Sequence, residues 1–271
     1  MRNETPEKRR GSILWRSIGI ASFLLIWEVA SRIVASNLIL PGPLPVATAL
    51  AKMAVKPSFW TSVGGTFLRV IEAFLLSILA GVLTGSLSGA LPRLREALSP
   101  IMTTIRATPV LALILVAMFW FPSSQVPVFS AVLMAFPIMY SAAEAGIQAT
   151  DEKLLQMSRL FHVPWSVELW RLRVPSALPA LLAGAKSALG ISWKVIVAGE
   201  VLSQPRFALG TGMQEARLSL ETPEVFAWAL ATVALCGLTE YLFGVCVRTR
   251  KVAPQRAGSA GGGLAKSRSA P

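Results

Sequence analysis

The chain has 271 residues, 54% of them hydrophobic and 15% charged, with a mean hydropathy of +0.59. That balance excludes an ordinary water-soluble domain, and the apolar residues gather in stretches long enough for lipid. The formal net charge of +12 sits on residues that flank apolar runs. They read as topology signals, and nucleic acid is not an expected partner. One histidine, His162, and two cysteines, Cys236 and Cys246, are too few for a histidine or thiolate metal site.

Residues 1–12 read as a basic cytoplasmic segment. Six apolar stretches then predict transmembrane helices at 13–34, 67–91, 101–121, 126–149, 177–201 and 225–247. The first follows Arg9 and Arg10 but has a long apolar core and no small-residue cleavage site, so it reads as a retained anchor. In the second, Gly81, Gly85 and Gly89 recur every four residues, as do Ala180, Gly184, Ala188 and Ser192 in the fifth. Such stripes let helix backbones approach closely in lipid. Pro109, Pro127, Pro137, Pro175 and Pro179 predict kinks or boundaries.

The stretch 150–179 is too long for a turn. Thr150 is placed to cap a helix that carries Asp151 and Glu152 in its first turn and Leu154, Leu155, Met157, Leu160 and Phe161 as apolar contacts. A break falls at His162 and Val163, and Pro164 opens a second helix that Pro175 ends. Residues 150–175 thus read as two amphipathic helices meeting at a bend, suited to lie on the bilayer surface or to dock a soluble partner. The tail 251–271 is basic, rich in Gly, Ser and Ala, and expected to be disordered.

Orientation follows from the Lys and Arg distribution. Basic residues crowd the termini, the 93–95 loop and the 150–175 stretch, whereas the opposite loops hold only Lys52, Lys56, Arg206 and Arg217. Both termini are therefore expected in the cytoplasm. Glu28, Arg69, Glu72, Arg106, Glu144, Lys186, Lys194, Glu200 and Glu240 fall within or near spans, where a charge is costly. Arg69 and Glu72 are spaced to pair, and Arg106 to snorkel toward headgroups. Lys194 and Glu200 lie about 9 Å apart along an ideal helix. With Glu144 and Lys186 they are candidates for a polar translocation pathway, interhelical ion pairing being the alternative for Lys194 and Glu200.

Several stretches together resemble the permease subunits of bacterial ATP-binding-cassette importers, in the nitrate, sulfonate, taurine and thiamine-precursor branch of the binding-protein-dependent transport family. They include LILPGPLPVATAL, FPIMYSAAEAGIQATDEKLLQ, LPALLAGAKSALGISWKVIVAGEVL and ETPEVFAWALATVAL. The family's cytoplasmic signature falls on Gln156 to Pro179. Arg159, Pro175, Leu178 and Pro179 fit it, while Gln156, Ser158 and His162 stand where the family has Glu, Ala and Gly.

The resemblance implies an all-α membrane protein with six transmembrane helices and a two-helix coupling element between spans four and five, the MetI-like permease fold, within 13–250. It implies a homodimer in the bacterial inner membrane, joined to two cytoplasmic ATPases and served by an extracytoplasmic solute-binding protein. Leu155, Gln156, Ser158, Arg159, Leu160, Phe161, His162, Val163, Pro164 and Trp165 would dock the ATPase. No cofactor is expected on this chain, because it has no GxxxxGK[ST] loop and the partner ATPase would bind ATP and Mg. A passive channel or scaffold is the alternative. An intramembrane enzyme has less support, since no nucleophile is paired with a base inside a span.

Overall fold

A computed structural model describes residues 6–249; residues 1–5 and the expected disordered tail 251–271 lie outside the described residues. Residues 6–12, expected to precede the first span, already belong to a helix. The described chain is helical: α1 (Pro6–Val34), α2 (Pro43–Ala54), α3 (Pro57–Ala90), α4 (Pro92–Ala107), α5 (Val110–Ala117), α6 (Val126–Gln148), α7 (Glu152–Leu160), α8 (Trp165–Glu168), α9 (Val174–Ser203), α10 (Leu209–Leu218) and α11 (Thr222–Thr249). A π-helical turn, Leu169–Arg173, joins α8 to α9. Proline opens α2, α3, α4 and α6, where its missing N–H has no intrahelical acceptor to lose.

Among the described residues, five helices are long and apolar enough to cross a membrane, within α1, α3, α6, α8–α9 and α11. The expected third span, 101–121, is not a single rod. It divides into α4 and α5, bent by 94°, so a sixth span exists only if that pair is counted as one. The cause is local: Thr108 takes an extended conformation (φ −70°, ψ 124°) ahead of Pro109, whose ring crowds the preceding residue out of the helical region. Pro137 and Pro179 sit inside continuous helices, so only Pro109 acts as a breaker among the expected prolines.

The core is built from α3, α6 and α9, with α6 packed against both of the others. Val70, Phe74, Met139, Leu189, Trp193 and Ile196 are buried there. The glycine stripe of α3 faces α6. A Cβ at Gly81 would lie 2.4 Å from the Cβ of Met139, and one at Gly85 would lie 2.3 Å from the carbonyl oxygen of Tyr140. The α9 stripe meets α6 from the other side, Gly184 facing the Cβ of Ala142 at 2.3 Å. The apolar windows of α1 and α11 are 0% and 6% buried, as expected of helices whose apolar surface faces lipid.

Replacing Gly85 with alanine forces α3 off the Tyr140 backbone and is expected to cost about 1–3 kcal/mol. Gly64→Ala, where a Cβ meets nothing within 4 Å, is expected to be neutral or slightly stabilising. Thermal unfolding midpoints of the two variants in detergent check the contrast.

Candidate functional site

The coupling element forms, with three corrections. Its cap is Asp151, whose carboxylate accepts from the Lys153 N–H at 2.9 Å; Thr150 is buried and donates to the Ile147 carbonyl at 3.0 Å. Pro164 takes the capping position before α8 rather than its first turn. Pro175 does not end the second helix: α8 runs through the π turn into α9 as one continuous segment. The wide turn lets the chain stay helical past a proline ring that would crowd a regular preceding turn.

At the bend His162 adopts φ 50°, the left-handed conformation for which the family signature has glycine. The Val163 N–H returns to the Ser158 carbonyl at 2.9 Å, closing α7. The two arms are braced from inside. The buried Ser158 hydroxyl donates to Glu168 Oε2 at 3.0 Å, and Arg173 Nε donates to Glu168 Oε1 at 2.9 Å. A single carboxylate therefore ties α7 to the root of α9. Gln156, Arg159, Leu160, Phe161, His162, Pro164 and Trp165 are exposed, whereas Leu155 and Val163 are half-buried and Ser158 faces inward. Leu160, Phe161 and Trp165 are 76%, 71% and 66% exposed, an apolar knob left uncovered by the described residues.

At the opposite end of the bundle lies a buried charge network. Glu200 of α9 is fully buried and accepts from Thr66 Oγ1 at 2.9 Å, Arg69 Nη1 at 2.8 Å and the Gly210 N–H at 3.1 Å. Thr66 accepts the Leu209 N–H at 2.9 Å. Arg69 also donates to the carbonyls of Phe207 (3.2 Å) and Arg206 (2.9 Å), clamping the loop between α9 and α10. This corrects the expected Arg69–Glu72 pair: the arginine turns to a residue on another helix.

The remaining candidates do not converge. Glu144 pairs with Arg95 at 2.8 Å. Arg106 does not snorkel; it donates to the Pro137 carbonyl at 3.2 Å and to the Ser141 hydroxyl. Lys186 and Lys194 are exposed on α9, with no carboxylate within 4 Å among the described residues. Between them Gly190 faces Glu240 of α11, and Lys186 and Glu240 line one cavity of about 390 Å³. No group of His, Cys, Asp and Glu among the described residues is arranged to hold a metal ion.

Sequence reasoning missed Thr66, Glu168 and Arg173. Thr66 shares the α3 face of Arg69 at a three-residue spacing, a usable signal. The five-residue spacing of Glu168 and Arg173 suits a π turn, which nothing in the sequence announces.

Residues 77–249 match the family described as "Binding-protein-dependent transport system inner membrane component". The chain is 28% identical to the taurine transport system permease protein TauC of Escherichia coli K12, covering 93% of this chain and 96% of the relative. It is 27% identical to the putative aliphatic sulfonates transport permease protein SsuC of Bacillus subtilis 168, over 81% and 80% of the two chains. A bicarbonate transport system permease protein, CmpB of Synechocystis sp. PCC 6803, is 26% identical over 75% and 76%. Among solved structures, a chain of the inward-facing MetNI methionine ABC transporter aligns with TM-score 0.56 and 20% identity, over 70% of this chain and 93% of that one. A chain of an amino acid ABC transporter aligns with TM-score 0.52 and 19% identity, over 70% and 92%.

Glu200→Gln is expected to cost about 3–5 kcal/mol, because it leaves the Arg69 charge without its partner, whereas the double replacement Arg69→Met/Glu200→Met should cost less. Unfolding midpoints of the single and double variants measure the coupling. Glu168→Ala strands the Ser158 hydroxyl and loosens α7 from α9, for an expected loss of about 1–3 kcal/mol. Faster proteolysis within 150–165, with the rest of the bundle protected, is the readout.

Proposed function

Because the chain belongs to the family of binding-protein-dependent transport system inner membrane components, we propose that two copies of it enclose the solute path of an ATP-driven importer. The chain is the multi-pass permease subunit of such an importer, a transport component and not an enzyme. In the proposed assembly the coupling element faces the cytoplasm, with both termini on that side and the α4–α5 pair counted as one crossing. Two ATPases grip the coupling elements from below, and an extracytoplasmic binding protein delivers solute at the α10 end. Lipid covers the outer faces of α1 and α11.

The carrying observation is the apolar knob of Leu160, Phe161 and Trp165, exposed on an element braced to a spanning helix. Side chains of that kind favour burial in a partner's cleft, and the brace transmits the partner's motion to α9. Closure of the ATPase pair would draw the two knobs together and bias the spans between two access states. A passive channel gives this element no purpose.

For the solute path, Lys186 and Lys194 are the candidates that face outward from α9, where an exposed ammonium at membrane depth requires water or a charged ligand. Glu144 and Glu200 are engaged in ion pairs and hold the helices that border the path. The relatives' names specify taurine, sulfonates and bicarbonate, all of which carry an anionic group. A small solute with an anionic group is the corresponding reading here.

Phe161→Glu and Arg159→Glu should lower ATP-driven uptake by at least about tenfold, in keeping with loss of a buried anchor, while membrane insertion stays normal. A cysteine at position 160 should cross-link to the ATPase. Normal uptake by both acidic variants would refute the docking assignment.

A further inference from the structure

The two halves of α11 are held differently. The first is anchored: Ala227 and Ala231 are buried with Val46 and Met53 of α2 and Phe59 of α3, and the Trp228 ring lies 5.2 Å from that of Phe59. From Gly237 to Val247 no residue is buried, and Phe243 meets the core edge-on, its ring 6.0 Å from that of Phe74. Gly237 stands at the junction. A Cβ there would meet nothing within 4 Å, so packing does not call for glycine. What glycine does supply in a helix interior is a weaker, more pliable backbone.

Beyond that junction a cleft of about 390 Å³ separates α11 from the first half of α9. Pro179, Leu182 and Phe243 give it apolar walls, and Lys186 and Glu240 bring opposite charges to it. The Glu240 carboxylate lies over Gly190, where a Cβ would come within 2.6 Å of its Oε1. It accepts a weak bond from the Cys236 thiol at 3.8 Å and has no cation within 4 Å among the described residues. Lys186 precedes Gly190 by one turn on the same face of α9, on a long flexible stem. Lys194 follows Gly190 by one turn and does not line the cleft. Lys186 and Glu240 both belong to apolar spans, Trp165–Ser203 and Thr222–Val247, where an ion without a partner is costly.

We propose that the second half of α11 hinges at Gly237 and closes the cleft against α9, with Glu240 and Lys186 forming the ion pair that latches it. Closure covers the apolar walls and gives each charge its partner; the open form keeps the two apart and leaves Lys186 free. Gly190 provides the track, since no side chain stands between the carboxylate and the lysine one turn along. The latch goes beyond the import reading and requires neither ATPase nor solute.

The test uses the full chain in lipid nanodiscs, with Cys236→Ala and Cys246→Ala as background and Ala183→Cys and Val247→Cys as a trapping pair. Both positions line the cleft, each seven residues from the Gly190–Glu240 contact. Under mild oxidation the pair should form a disulfide within one chain, because closure brings the two Cα atoms within about 7 Å. Lys186→Gln, Glu240→Gln and Gly237→Ala should each slow its formation by about threefold or more, the first two through loss of an interhelical polar contact in lipid. The exchange Lys186→Glu/Glu240→Lys should restore the rate, which misfolding would not allow, and Lys194→Gln should not slow it. Gly237→Ala should unfold no earlier than the parent, which separates stiffening from misfolding. An unchanged rate in any of the three slowing variants, no rescue by the exchange, a dependence on Lys194 in place of Lys186, or disulfides that join only separate chains would overturn the proposal. No ATPase or solute is present, so failure of ATP-driven uptake would count against the import reading and leave this result standing.

Discussion

A carboxylate taken out of both water and lipid must find its donors within the protein, and Glu200 finds them on two other elements. Thr66 and Arg69 come from α3, and the Gly210 N–H comes from the first turn of α10. An unpaired charge in that position would cost several kcal/mol, so the three elements hold one relative arrangement or the site comes apart. The same interaction orients Arg69 across the α9–α10 loop, where Gln204 and Phe207 both adopt positive φ without being glycine. Strained backbone of this kind persists where surrounding bonds over-determine it.

The bundle is thus fastened at both ends by charge and joined in the middle by shape. At the coupling end, Glu168 does for α7 and α9 what Glu200 does for α3, α9 and α10. Between them, glycines on α3 and α9 bring both helices close to α6, and Met139, Trp193 and their neighbours fill the space around these contacts. In lipid, where apolar burial gives little drive, close backbone approach supplies the contact energy.

Much of this was legible from the chain. Apolar length located five of the spans, because a helix must satisfy its own backbone in hydrocarbon. The four-residue spacing of Gly81, Gly85 and Gly89 announced the α3–α6 contact, and His162 bent the chain as its place in the signature implied. What escaped was non-local or competitive. Arg69 had a carboxylate one turn away and took one 131 residues distant, since a buried partner with further donors outweighs an exposed neighbour. The third span read as one apolar run because hydropathy does not register the backbone conformation that Pro109 imposes on Thr108. Pro175 read as a stop because regular helix geometry was assumed where the chain widens.

That widened turn, Leu169–Arg173, has a geometric consequence. A π turn accommodates one residue more than the regular helix around it. Removing one residue from this turn would restore a regular helix with little rotation of α7 and α8, whereas removing one from the regular part of α9 would turn them by about 100° about its axis. The π turn is therefore the place where this helix carries an extra residue without re-aiming the knob, whose direction the Ser158–Glu168–Arg173 bonds then hold.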